Sequence, residues 1–458
     1  MNQILWQNIA DFNFDEPLSE YGFTTRLEYE NYWTSNFALS AISEYKKFMY
    51  LAAISDAMVS PSAIVDIVWH QHLLFTKSYA SFCKVLGKEI AHIPSTHHNS
   101  EARQFEMASE RTQKLYLENF GEQPTEIWKY ADSYGPLSLK SSGYTVQAVY
   151  NAGIPILIAT MAAAYFLLYP LYITIDNPDF LIGYCSLVIS AVIGLHFFNR
   201  FIIGKIIAGW DKNAFAFNLS ALELVYLRRK QIKDVINGVV NQLIRDGKIS
   251  AYIERPLKVN DPDGAANAME FCVLQILTAE PDLPYQQLLG KLSAKPVFDK
   301  TARAIDVFSD RFEQSMAFIT LFIQNFAILG LVFLLGAVRL ATGMVRDRPV
   351  LLITYIMVAC FALFATRLRR LSLTLGADAL PRYYKKIILP LRPEQDAWDW
   401  EYFLLGNAVF VSAFIPMAGY QDSFFSYQSN SGSSCSSGGD SGGSSCGGGS
   451  SCGGCGGD

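Results

Sequence analysis

Four stretches of this chain are apolar for the length of a bilayer core, and they limit the fold more than any other feature. A hydrocarbon core takes about 20 residues of helix. With no water inside it, every backbone N–H and C=O must be paired within the spanning segments. Ala152–Ile175 and Phe180–Phe198 meet the length without a charged side chain, and only Asp176-Asn177-Pro178-Asp179 separates them. That turn has no room for a domain. Met316–Val338 is a third stretch, with Gln324 and Asn325 near its middle, and Val350–Thr366 is a shorter fourth. The 51% hydrophobic content is only slightly above soluble values because it is gathered into these blocks. The fold class expected is mainly α: a multi-pass α-helical membrane protein with two transmembrane hairpins, residues 152–198 and 316–366.

Orientation follows from Lys and Arg placement. The first hairpin turn has no basic residue, whereas Arg200 and Lys205 follow its second span. Arg339, Arg346 and Arg348 are read as lying in the second loop, against Arg367, Arg369, Arg370, Arg382, Lys385 and Lys386 after the fourth span. The larger cluster places both termini in the cytosol. The opening Met1–Trp6 lacks a basic region followed by an apolar one, so no signal peptide is expected. Gln324 and Asn325 are expected to hydrogen-bond between helices, not to form a transport site. A further apolar run, Tyr402–Tyr420, contains Asn407 and Pro416 between acidic flanks and is read as not crossing. It belongs to an amphipathic, helical C-terminal segment, residues 367–428.

Two modules lie outside the spans. Residues 1–145 form an N-terminal helical domain, and residues 1–150 carry 11 Lys+Arg against 17 Asp+Glu. That acidity argues against nucleic acid and against docking on anionic lipid by this part. Residues 209–315 read as helix (Leu219–Arg229), helix (Gln231–Arg245), a turn at Asp246-Gly247-Lys248, a short strand (Ile249–Ile253) and further helices at Ala265–Leu277 and Tyr285–Leu292. This order is winged-helix-like. Residues 210–315 hold 14 Lys+Arg and 14 Asp+Glu, with no net field to hold phosphates, so a protein-interaction or structural use is expected.

The end of the chain, residues 429–458, is almost wholly Ser and Gly with Cys435, Cys446, Cys452 and Cys455. Such a run cannot bury a core and is expected to be disordered. The closing Cys-Gly-Gly-Cys could hold a soft metal, zinc or copper, or cycle as a dithiol. No neighbouring Lys, Arg or His activates the thiols. Three uses stay open: a metal or thiol buffer, a substrate for a cysteine-modifying enzyme, and a plain low-complexity tail. Cys83, Cys185, Cys272 and Cys360 are scattered singly and read as small core hydrophobes.

Five of the six histidines fall between residues 70 and 98: His70, His72, His92, His97 and His98. Ala63–Phe82 reads as one helix started by Ser60-Pro61-Ser62, with Ile64, Val68, Leu74 and Phe75 on its buried face. On a helix His70 and His72 stand about 200° apart and cannot chelate one ion together, while Asp66 and His70 share a face. A packed polar cluster drawn from Asp66, Trp69, His70, His72, Tyr79 and His92 is the first reading, with a metal site or an Asp66/His70/His72 enzyme as alternatives. His97-His98 is expected in a solvated loop.

Val65-Asp66-Ile67-Val68-Trp69-His70-Gln71-His72, followed by Tyr79, Cys83, Gly87, His92 and Pro94, then Leu115-Tyr116, Phe120-Gly121, Pro124 and Trp128, resembles the glycine-rich domain-containing proteins over roughly residues 35–130. Ile93 stands where that family usually has a second histidine. The resemblance implies a small helical module and no particular reaction. Leu222–Leu227, Val235–Leu243, Gly247, Gly336–Gly343, Arg348-Pro349-Val350 and Arg367–Arg370 resemble a family of bacterial membrane proteins that commonly end in a Cys/Gly-rich tail. This implies an inner-membrane location. No Gly-x-Gly-x-x-Gly, P-loop, His-Glu-x-x-His or Gly-x-Ser-x-Gly is present, so no catalytic residue or cofactor is assigned and no enzyme is expected. The role expected is interaction or scaffold, with the lipid bilayer and an unidentified protein as partners.

Overall fold

The computed structural model of this chain describes residues 1–92, 99–252, 255–391 and 398–419. It is mainly helical. The N-terminal segment holds α1 (Gln3–Ala10), α2 (Phe23–Asn31), α3 (Ser35–Ile54), α4 (Ala63–Leu74), α5 (Thr76–Leu86), α6 (Asn99–Phe120) and α7 (Thr125–Trp128). The other helices of this segment pack around α3, whose Ala38, Ala41, Tyr45, Phe48 and Met49 are fully enclosed. The single helix expected over Ala63–Phe82 is two. Phe75 (φ −93°, ψ 62°) ends α4 and precedes α5, and Leu74, expected inside, is 59% exposed at the bend. No Gly or Pro marks this break; the gain that drives it is tertiary, since bending brings α5 back against α4.

The chain then runs through α8 (Val146–Tyr172) and α9 (Asn177–Ala208). It continues through α10 (Ala221–Arg229), α11 (Ile232–Arg245), α12 (Ala268–Ala279), α13 (Tyr285–Ser293) and α14 (Pro296–Glu313). Between α11 and α12 a two-residue antiparallel ladder pairs β1 (Ile249–Ser250) with β2 (Lys258–Val259). Gly247, at φ +73°, supplies the left-handed residue that turns α11 toward β1. The α10 start is a reciprocal cap: Glu223 N–H donates to Ser220 Oγ, and Ser220 N–H donates to the Glu223 carboxylate.

Two long apolar helices follow, α15 (Met316–Val345) and α16 (Leu351–Leu371). With α8 and α9 they make four helices long and apolar enough to cross a membrane. The other three pack against α15. Close approach of α8 is set by small residues, because a Cβ on Gly153 would sit 2.3 Å from the Phe326 ring and one on Gly330 2.8 Å from Leu157. Phe166, Phe197, Phe201, Leu331 and Phe361 point outward and stay exposed, as lipid-facing side chains would.

The polar residues of the bundle divide. Asn325 and Asn199 exchange two amide hydrogen bonds between α15 and α9, at 2.8 and 2.9 Å. Gln324 instead faces outward, one helical position round from the seam. Arg339 was expected in a loop but lies buried within α15, which runs past Val338 to Val345. Its guanidinium donates to the Tyr172 and Ile175 carbonyls and to Asn177 Oδ1, and stacks on Phe180. It thus satisfies carbonyls left over where α8 ends.

After α16 the helix widens at Leu375–Ala379 and Tyr384–Ile388, on either side of α17 (Leu380–Tyr383). Pro381, which lacks an N–H, sits in the middle of this stretch. The last described helix, α18 (Trp398–Leu405), is too short to cross a bilayer. Tyr402 donates to the Asp234 carbonyl, the Val411 N–H donates to Asn241, and Phe410 and Phe414 are buried, so residues 402–419 lie over α11.

Segments 1–145 and 209–315 pack on each other, with α2 along α14. Lys300 Nζ stands 2.8 Å from Glu28 with both side chains nearly enclosed. Ser35 N–H donates to Glu223 Oε1 at 2.7 Å, Lys295 pairs with Glu20, and Arg303 stacks 4.1 Å from the Tyr29 ring. Burial pushes the Glu223 carboxyl up to about 7, against the pull of the Ser35 and Ser220 N–H donors.

Candidate functional site

The N-terminal motif residues are placed by three local events. Ser62 caps α4 by accepting from the Val65 N–H, which sets the helical phase from its first turn. That phase puts Asp66 and His70 on one face and His72 on the opposite one. Phe75 then folds α5 back, and Gly87, at φ +69°, ends α5 so that residues 88–92 return along α4.

His72 is fully buried. Tyr45 Oη lies 2.9 Å from its Nδ1 and Ser78 Oγ 3.1 Å from its Nε2, with Phe14, Phe23 and Phe82 around the ring. Burial lowers its pKa to about 3, so the ring is neutral and both nitrogens are used. It does not converge with Asp66 and His70, as an active site built on those three would require.

Tyr79 and Trp69 form a second packed group. Trp69 Nε1 donates to Tyr79 Oη at 3.1 Å, and Tyr79 donates to the Ile90 carbonyl. Burial pushes the Tyr79 phenol up to about 12. Tyr116 and Trp128, also in the resembled pattern, meet on Glu44, each donating to Oε2 at 2.7 Å, while Lys47 pairs with Oε1. These are satisfied core groups.

The outward face of α4 differs. His92 Nε2 stands 3.0 Å from Asp66 Oδ1, His70 Nδ1 3.6 Å from Asp66 Oδ2, and the two imidazole rings are 4.4 Å apart. Trp69 meets His92 edge to face at 4.5 Å and backs the cluster. One ligand atom from each of Asp66, His70 and His92 lies within 4.8 Å of the others. Side-chain exposure of 36% for Asp66 and 56% for His70 leaves the group open to an ion from solvent. Two imidazoles and a carboxylate with open positions suit zinc or ferrous iron. Ligands about 2.0–2.2 Å from a tetrahedral ion stand roughly 3.4 Å apart, so the side chains would draw slightly inward.

His92 was named from the sequence as a polar-cluster member, but its approach to Asp66 needs the return after Gly87; the crowding of histidines was the only signal. Tyr45 and Ser78 carried none. His97, His98, Cys435, Cys446, Cys452 and Cys455 lie outside the described residues.

The fold and this cluster define a helical module joined to four membrane-length helices. Residues 8–116, which include the whole Asp66–His70–His92 group, match the family model described as UCP032817-like. No curated protein and no solved structure matches the chain.

Proposed function

We propose that this chain is a multi-pass protein of a bacterial inner membrane, crossing in two transmembrane hairpins (α8–α9 and α15–α16), with both termini cytosolic, and acting as an interaction or scaffold protein that presents its thiol-rich tail. One observation carries the reading. Segments 1–145 and 209–315, which flank the first two spans in sequence, meet through the buried Glu28–Lys300 pair and the Ser35–Glu223 bond, making one platform at one end of the bundle. Arg339 is tied to the α8 carbonyls, which leaves only Arg346 and Arg348 to weigh against the basic cluster after α16, and this supports the orientation. The helix–helix–turn–ladder order of 221–259 supports a winged-helix-like unit used for protein contact, not nucleic acid. Cys435, Cys446, Cys452 and Cys455 are its reactive groups, as soft-metal ligands or as the substrate of a cysteine-modifying enzyme.

The convergence of Asp66, His70 and His92 favours a second reading, a divalent-metal site on the platform that is structural or catalytic.

Comparing two variants in the native host separates them. Cys→Ser at the four tail positions should abolish the loss-of-function phenotype rescue that the wild-type gene gives, while His70→Ala with His92→Ala should retain it. The reverse pattern would discard the scaffold reading for the metal one. Mass measurement of the alkylated C-terminal tryptic peptide then reports whether the tail thiols are free, paired or modified.

A further inference from the structure

At the end of the bundle nearest the platform, α9, α15 and α16 part to leave a cleft of about 80 Å³. Arg200 on α9 and Arg367 and Arg370 on α16 line it, with His196, Asn199 and Thr374. No carboxylate lines it, and no ion pair is formed by these three arginines among the described residues. Its floor is the Asn199–Asn325 amide pair, and the buried Leu195 and Leu329 complete its inner wall.

Three guanidiniums at one opening repel one another unless an anion sits between them, and guanidinium forks match phosphate oxygens. The contrast with Arg339 is direct: that arginine, buried in the same bundle, donates to two carbonyls and a side-chain amide. An arginine-lined opening between membrane helices, polar at its mouth and apolar along its wall, has the two-part chemistry of a phospholipid. We infer that this cleft binds the phosphate headgroup of an anionic phospholipid, with the acyl chains outside the cleft on the exposed apolar surface of the bundle. The site is independent of the tail and of the Asp66 cluster, and rests only on the membrane placement.

The test is native mass spectrometry of the full chain released from nanodiscs of phosphatidylglycerol and phosphatidylcholine mixed in equal parts. Wild type should retain phosphatidylglycerol over phosphatidylcholine by about tenfold, which corresponds to about 1.4 kcal/mol. Arg200→Gln with Arg367→Gln and Arg370→Gln should bring the ratio near one. Arg→Lys at the same positions, which keeps charge and fold, should restore most of it. Arg346→Gln with Arg348→Gln, at the other end of the bundle, should leave it unchanged. Equal retention of both lipids by wild type would overturn the inference, as would an undiminished ratio in the triple Gln variant. Competition by millimolar inorganic phosphate with no preference between lipids would assign the cleft to a free anion and overturn it as well. Recovery of the chain in a soluble fraction without detergent would overturn both the site and the membrane placement.

Discussion

His72 and His70 stand two residues apart on α4, yet one is wrapped by Phe14, Phe23 and Phe82 and the other is more than half exposed beside Asp66 and His92. The inner face spends both imidazole nitrogens on Tyr45 and Ser78 and has none left for chemistry. The outer face gathers two imidazoles and a carboxylate whose mutual contacts an ion could replace. Motif density alone cannot tell these apart, because Trp-His-x-His places one histidine on each face by helical phase. What separates them is the neighbours, and those come from Tyr45 on α3 and from the return of the chain at His92.

The largest expected effect belongs to the inner face and is one of pH. A histidine held near pKa 3 when folded and near 6.5 when unfolded contributes stability that is fully present above pH 6.5 and lost as pH falls toward 3. A displacement of that size corresponds to roughly 5 kcal/mol. The urea midpoint of the detergent-solubilised chain should therefore fall steeply between pH 6.5 and 4, and His72→Gln should start lower but fall less. An unchanged slope in that variant would show that the inner face is not what acid attacks.

Next comes the joint between the two segments. Lys300→Ala leaves Glu28 buried with the Ser35 hydroxyl as its remaining partner, and an unpaired buried charge costs about 3–5 kcal/mol. Proteolysis at the α2–α14 contact should accelerate accordingly. If the outer face of α4 is independent of this joint, zinc binding by the variant should persist below its unfolding midpoint.

Glu223 supplies a slope of opposite sign. Its folded pKa near 7 lies above the ordinary value of 4.5, so the fold favours the protonated form. Its contribution is fully present below pH 4.5 and lost as pH rises through 7, about 3 kcal/mol in all. Between pH 4.5 and 6.5 it opposes His72. Glu223→Gln should remove the decline toward neutral pH and leave the acid loss due to His72 standing alone, which a pH series of unfolding midpoints would read directly.

Much of the long apolar part was legible because length and apolarity act within one helix. All four membrane-length helices needed no tertiary knowledge, but the turn expected at residues 176–179 falls at 173–176, because Asp176 is the N-cap of α9 and Asn177, Pro178 and Asp179 form its first turn. Arg339 was misplaced for the same reason, since a charge at the edge of an apolar run reads as the run's end, and only the α8 carbonyls explain why it is inside. Asn325 and Gln324 were adjacent and indistinguishable until Asn199 chose between them. The Phe75 bend left no mark because both of its sides are good helix. The pairing of Glu28 with Lys300 joins residues that α8 and α9 separate in sequence, and neither position differs in sequence from a solvated charge.

The smallest effect on stability should come from the outer face, and there the comparison is most exposed to failure. His70 is largely solvated, and its contact with Asp66 is a loose one at 3.6 Å, so His70→Ala should cost under about 0.5 kcal/mol. His92 packs on Trp69 and bonds Asp66, so His92→Ala should cost about 1 kcal/mol. A metal site would respond on a different scale. Losing one of three ligands should weaken zinc binding by at least about tenfold, as even outer partners of metal ligands are worth 10- to 100-fold. Isothermal titration of the purified full chain with all four tail cysteines replaced by serine isolates this site from the thiols. Saturable one-to-one binding that His70→Ala and His92→Ala each remove, with the His72→Gln variant binding normally while folded, would establish that α4 divides structure from ligation by face. Equal zinc uptake by all of these variants would reduce the outer cluster to hydrogen bonds between neighbours, and both faces of α4 to parts of the fold.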